Sequence, residues 1–151
     1  MISRGRNGRN YQLGLIAGAG LLLVGCGSRH ELGQVRGVVR SGGQPLPNVL
    51  VTFVPVGKAE GQVIRSMGKT DSQGHYELRT EAQAAGAVVG KYRVIVEDLA
   101  IYSAPRDDEG SVTQMPPVRF PARFSDPLLS PIQREVKVGE QVIELDLDDS
   151  P

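Results

Sequence analysis

The stretch TDSQGHY, residues 70–76, holds the side chains of this sequence whose types and spacing best suit chemistry. Side chains of these types can bind a metal ion, or an Asp and a His can activate a serine hydroxyl. The candidates are Asp71, Ser72 and His75. One carboxylate is a poor site for a hard cation, because a calcium loop depends on several closely spaced acidic ligands. The same spacing is typical of a tight turn, in which Asp accepts hydrogen bonds from nearby backbone N–H groups and Gly takes a positive φ. We therefore predict that Asp71 and Gly74 are structural, turn-forming residues.

The rest of the sequence offers little for catalysis. The chain has two histidines, His30 and His75, and neither is accompanied by a nucleophile motif such as G-x-S-x-G. Two separated histidines are also too few for a zinc site without other strong ligands. We therefore predict no catalytic residue, no metal and no cofactor, and a protein that is not an enzyme.

The one cysteine, Cys26, follows an apolar run, LGLIAGAGLLLV at residues 13–24, and three arginines stand before that run. The run is shorter than the ~20 apolar residues that a membrane-spanning helix needs. A basic leader, a short apolar run and a small residue at Gly25 have the tripartite form of a secretory signal peptide. We predict that residues 1–25 are a signal peptide and that the chain is exported.

The end of that run, LVGC at residues 23–26, resembles the lipobox of bacterial lipoproteins. The resemblance implies cleavage between Gly25 and Cys26, and a Cys26 that carries diacylglycerol on its thiol and often a further acyl chain, such as palmitate, on its amino group. Several acyl chains tether a protein to a membrane because each buried CH₂ contributes ~0.8 kcal/mol. Gly27 stands where an inner-membrane retention signal has Asp, which favours the outer membrane, facing the periplasm or the surface. Two alternatives stay open: a plain signal peptide with an incidental cysteine, and an uncleaved single anchor.

The charge balance argues against nucleic acid as a partner. The chain has 17 basic and 17 acidic side chains, and three of the basic ones lie before Cys26. The part from Cys26 onward therefore has 14 basic against 17 acidic side chains, a net charge of −3. Nucleic-acid binding depends instead on clustered Lys and Arg.

Beyond a short polar tether, residues 26–33, patterns of period two predict an all-β domain over residues 34–148. Seven segments are predicted as strands: residues 34–40, 49–56, 62–70, 75–80, 90–98, 132–138 and 142–148. We expect the third and fourth to form a hairpin across DSQG, and GEQ to connect the last two tightly. Six side chains of the later strands are expected to face the core: Tyr92, Val94, Val96, Ile132, Val136 and Val138. Seven strands punctuated by turns predict a β-sandwich.

Three stretches carry a more specific resemblance: VRGVVRSGGQPLPNVLVTFVP, GKTDSQGHYEL and GAVVGKYRVIV. They are similar to the carboxypeptidase regulatory-like domain, at Gly37, Val39, Gly43, Pro45, Val51, Phe53, Thr70, Asp71, Gly74, Tyr76, Leu78, Gly90, Tyr92 and Val94. The resemblance implies a seven-stranded Ig-like or transthyretin-like (prealbumin-like) β-sandwich without the zinc site of the carboxypeptidases. Together with the lipobox, the layout resembles small lipoproteins of planctomycete-type bacteria.

Residues 99–124 are a long Pro-rich loop with an acidic run at residues 107–109. One interpretation is a solvated excursion packed by Tyr102, Phe120 and Phe124. The other is a docking loop for an envelope protein or a glycan, because a Pro-rich backbone presents side chains at low entropic cost.

From these features we expect a non-enzymatic, membrane-tethered lipoprotein whose β-sandwich is a binding or structural module at the cell envelope. The alternative is an accessory subunit of an envelope enzyme that acts on peptide or glycan. A fold-level resemblance does not by itself supply either function.

Overall fold

A computed structural model describes residues 30–57 and 63–148 of the chain, and their fold is all-β, as predicted. The signal peptide, Gly25 and Cys26 lie outside these residues. The strands in the described residues are β1 Leu32–Ser41, β2 Gln44–Pro45, β3 Val49–Pro55, β4 Ser66–Lys69, β5 His75–Glu77, β6 Arg79–Thr80, β7 Ala87–Val88, β8 Gly90–Asp98, β9 Gln133–Val136, β10 Gly139–Val142 and β11 Leu145–Asp146. Two short 3-10 helices, Leu99–Ser103 and Ala122–Ser125, lie between β8 and β9.

The first sheet is assembled around β1. Strands β2, β5 and β7 pair with it antiparallel, whereas β10 and β11 pair with it parallel. The close approach of the C-terminal segment requires Gly37, because a Cβ there would lie 1.9 Å from the carbonyl oxygen of Ile143. Tyr76, the cross-strand neighbour of Gly37, donates its hydroxyl to that carbonyl at 2.7 Å. Burial raises the pKa of Tyr76, so the hydroxyl keeps the proton that it donates.

The second sheet is antiparallel throughout, in the order β6-β4-β3-β8-β9. Strand β9 pairs only with the first half of β8, from Gly90 to Arg93. Beyond Arg93, two serine side chains form hydrogen bonds with β8 in place of strand pairing. The Ser130 hydroxyl donates to the Val94 carbonyl, and the Ser125 hydroxyl donates to the Val96 carbonyl at 2.7 Å. These bonds hold the segment after the long loop against the edge of the sheet.

The core lies between the two sheets. Inward side chains of both sheets form one buried cluster, which includes Val35, Val39, Tyr76 and Leu145 from the first and Val49, Val51, Phe53, Tyr92, Val94, Val96 and Val136 from the second. The rings of Phe53 and Tyr92 meet with centroids 5.7 Å apart. Period two thus predicted the inner face of β8 correctly. Val138 was predicted to face the core and is instead 65% exposed, because β9 ends at Val136.

The prediction of a hairpin across residues 71–74 is wrong, because β4 and β5, the strands on either side of this turn, do not pair with each other. Strand β5 pairs with β1 in the first sheet, and only the next strand, β6, pairs with β4 in the second. The chain therefore changes sheets at Leu78, which is 2% exposed. The segment GEQ is also no tight connection, because β10 occupies it and pairs with β1. Strand β1 begins at Leu32, so the last two residues assigned to the tether lie in the sheet.

Candidate functional site

The turn that contains Asp71 and Gly74 is closed by the Asp71 carboxylate. Its Oδ1 accepts hydrogen bonds from the backbone N–H groups of Gln73 at 2.8 Å and of His75 at 2.9 Å. Gly74 has a φ of +74°, and a Cβ there would lie 2.8 Å from the Val39 carbonyl oxygen. This turn carries the chain from β4 in the second sheet to β5 in the first.

The charge of Asp71 serves the same turn. The hydrogen bonds from the backbone of His75 and of Gln73 hold the pKa of Asp71 below its ordinary value. Its Oδ2 lies 3.6 Å from Nδ1 of His75, and both side chains are more than half exposed. Since one oxygen of the carboxylate already holds two backbone N–H groups, the arrangement suits a structural role better than proton transfer.

A second copy of this turn occurs in the long loop, where the sequence reads DDEGS in place of DSQGH. Asp107 Oδ1 accepts from the backbone N–H groups of Glu109 at 3.1 Å and of Ser111 at 2.8 Å. Gly110 has a φ of +83° and donates its N–H to the Asp107 carbonyl at 3.0 Å. Sequence reasoning treated residues 107–109 as a solvated acidic run, although the D-x-x-G signal of the first turn is present here too.

The two turns provide a matched pair of substitutions. We expect Asp71→Ala to lower the melting temperature, since that turn links the two sheets, and Asp107→Ala to leave it unchanged, since that turn is local to the loop. The lowered pKa of Asp71 means that its contribution is complete above its ordinary pKa and is lost as the pH falls below it. The melting temperatures of Asp71→Ala and wild type should therefore begin to converge as the pH falls below about 4, and should meet only below the lowered pKa of Asp71. Equal melting temperatures of the two variants at neutral pH would contradict this assignment.

An ion pair between Asp98 and Arg119 closes the base of the long loop. Arg119 Nε donates to Asp98 Oδ2 at 2.6 Å, and a terminal nitrogen of the same guanidinium donates to Oδ1. The guanidinium also donates to the Pro47 carbonyl at 2.7 Å, and the Arg119 carbonyl accepts from the Ser41 hydroxyl at 2.8 Å. The side chain of Asp98 is only 12% exposed and that of Arg119 only 22%. We call this set of contacts the loop clamp.

The loop clamp keeps Asp98 ionised. Burial raises the pKa of Asp98, but the hydrogen bond from Arg119, the one from the backbone N–H of Ala100 and the positive charge of Arg119 outweigh it, so the pKa lies below its ordinary value. The bond to Ala100 also starts the 3-10 helix Leu99–Ser103. One carboxylate thus fixes both where the loop leaves β8 and where it returns.

Between Asp98 and Arg119, the loop exposes large apolar side chains. Val118 is 89% exposed, Tyr102 71% and Met115 70%, and Ile101 is also exposed. Tyr102 was expected to help pack the loop and does not, whereas Phe120 and Phe124, just beyond, are buried in the core. Residues 101–118 therefore form the candidate functional surface that is most distinct from the folded body.

We expect Arg119→Met to release the loop while the sheets stay folded. Loss of the charged hydrogen bonds should lower the free energy of unfolding by about 2 kcal/mol. Hydrogen exchange followed by mass spectrometry should show faster exchange over residues 99–118 and little change in β3 and β8.

Arg106→Met is the control for that experiment, because the Arg106 guanidinium donates within the loop itself, to the Gly110 carbonyl at 2.8 Å. It should alter exchange near residue 110 alone. Loop exchange in Arg119→Met that matches wild type would show that the loop clamp does not hold the loop.

A shallow groove lies on the outer face of the second sheet. Its floor includes Leu50, Thr52, Val54, Met67 and Ile95, and charged side chains at its edge include Arg65, Glu81 and Glu97. Ser125 and Pro127 border it from the segment after the loop. The groove is thus a second apolar surface besides residues 101–118, and it lies on the folded body.

Within residues 30–57 and 63–148, no group of three or more His, Cys, Asp or Glu side chains is placed to hold a metal ion. No helix in this described part is long and apolar enough to cross a membrane. Comparison with protein families, with curated proteins and with solved structures finds no match to the chain.

Proposed function

We propose that the protein is an exported, non-enzymatic lipoprotein, tethered to the outer membrane through acylated Cys26, whose β-domain is a binding module of the cell envelope. The proposal rests on one observation: within residues 1–26, the arginine leader, the apolar run and LVGC follow one another in the order of a lipoprotein signal peptide. The domain starts close behind: β1 begins at Leu32, six residues after Cys26. Six residues of extended backbone span at most about 20 Å, which is the greatest possible distance between Cys26 and Leu32.

The two-sheet core supports the finer proposal of a seven-stranded, Ig-like or transthyretin-like sandwich of the carboxypeptidase regulatory-like kind. The apolar positions that carry the resemblance are buried: Val39, Val51, Phe53, Tyr76, Leu78, Tyr92 and Val94. Gly37 and Gly74 match the same pattern and stand where a Cβ would collide with backbone. The pattern therefore coincides with the residues on which packing depends.

The position of the long loop supports its role in binding. Strand β1 has ten residues, or about 30 Å, between the tether at Leu32 and Ser41, which contacts the loop clamp. Leu32, where β1 begins, and the loop clamp thus lie at opposite ends of β1. Aliphatic side chains such as Met115 and Val118 suit an apolar protein surface better than a glycan.

Acylation is tested by metabolic labelling with a clickable fatty acid. Wild-type protein should carry the label and yield an N-terminal peptide that starts at Cys26 with its lipid attached. Cys26→Ala should lose the label, and Ser28→Ala, two residues away, should keep it. Wild-type protein without label, or Cys26→Ala with undiminished label, would refute the lipoprotein proposal.

Loop docking is tested by photo-crosslinking in intact cells. A photoreactive amino acid in place of Tyr102 should form a crosslink to an envelope protein, and Met115→Ser with Val118→Ser should reduce its yield by about tenfold, as expected for loss of two apolar contacts. The same probe in place of Leu128, which is 82% exposed but outside the loop, should give no such product. Equal products from both positions would show that the loop is not the docking surface.

A further inference from the structure

A shallow apolar hollow lies at the end of the domain where the tether enters. Its lining includes His30 and Leu32 at the start of β1, Ile64 before β4, Ala82 and Ala84 after β6, and Val88 of β7. Large apolar side chains stay exposed in the same segments: Leu32 at 37%, Val63 at 47% and Val89 at 37%. We call this surface the tether-end hollow.

The backbone around the tether-end hollow is hydrogen-bonded internally. Leu32 pairs with Val88, and the Val89 N–H donates to the Glu31 carbonyl at 2.9 Å. The turn after β6 is closed by Thr80, whose N–H donates to the Ala84 carbonyl at 2.9 Å and whose hydroxyl accepts from the Ala84 N–H at 3.1 Å. These paired backbone groups can face an apolar medium without being left unsatisfied.

We propose that the tether-end hollow packs against the lipid surface that holds the Cys26 anchor, so that the domain stands on the membrane with its long loop pointing away. This inference rests on the proposed function. The chain itself supplies the argument: the first described residue, His30, lines the hollow and lies four residues after Cys26. A tether of this length holds the hollow at high local concentration next to the lipid, so a surface too small to bind membranes alone becomes occupied.

The charges around the hollow indicate which lipid feature is recognised. Glu81 lines the hollow, and no Lys or Arg is among its lining residues in the described part of the chain. Attraction to anionic headgroups is therefore not the source of binding, and apolar contact with the interface is. The position of the domain should not depend on the fraction of anionic lipid.

The test uses full-length lipoprotein with one added cysteine. Cys26 is the only cysteine of the chain and its thiol carries the lipid, so an introduced cysteine is the only free thiol for a fluorophore. Val89→Cys, whose chain neighbour Val88 lines the hollow, reports on that end of the domain, and Val118→Cys reports on the loop. Each labelled protein is reconstituted into phosphatidylcholine vesicles with or without brominated acyl chains, which quench fluorophores at the lipid interface, and again with phosphatidylglycerol added.

We expect brominated lipid to quench the Val89→Cys label by about twofold or more, equally with and without phosphatidylglycerol, and to leave the Val118→Cys label unchanged. Unquenched label at residue 89, quenching at residue 118 instead, or quenching that requires phosphatidylglycerol would overturn the inference. Intact mass of the reconstituted protein separates the two proposals. Acylated protein without quenching at residue 89 refutes only the tether-end contact, whereas protein without lipid refutes the lipoprotein proposal and this inference with it.

Discussion

The first sheet depends on one strand. Within the described residues, β2, β5, β7, β10 and β11 each pair with β1 and with no other strand of that sheet. None of the five has more than four residues, and β1 has ten. Short strands have too few hydrogen bonds to order themselves, so they become stable only when β1 presents both of its edges. The inner face of β1 alternates Gly33, Val35, Gly37 and Val39, which combines core packing with room for the C-terminal segment.

The parts of the fold that sequence reasoning predicts well are the strands whose own residues decide the outcome. Strand β8 was predicted over residues 90–98 and occupies Gly90–Asp98, and β3 begins at Val49 as expected. Both are rich in β-branched residues and bury one face in the core, so local preference and tertiary packing agree. The turn residues Asp71 and Gly74 were proposed for a similar reason, because the D-x-x-G signal specifies hydrogen bonds that need no distant partner.

The parts that sequence reasoning could not predict are decided by contacts between distant segments. A period-two pattern over residues 75–80 says that a strand forms, but not that Leu78 divides it between two sheets. Strand β10 is polar and begins with glycine, and it becomes a strand because β1 offers it a free edge. The serine bonds to the β8 carbonyls have no local signal at all. The turn at Asp107 is different, since its signal was present and was outweighed by the acidic composition around it.

The loop clamp explains how a long polar loop coexists with a small core. The entropic cost of closing a loop grows only slowly with its length, so a long excursion adds little penalty if its two ends are held. Asp98 and Arg119 hold those ends, and the Ser41 hydroxyl ties them to β1. The core residues Phe120 and Phe124 lie beyond the clamp, so packing begins again immediately after the loop returns. No residue between Asp98 and Arg119 is buried, so the core is built without the loop and the apolar side chains of the loop stay at the surface.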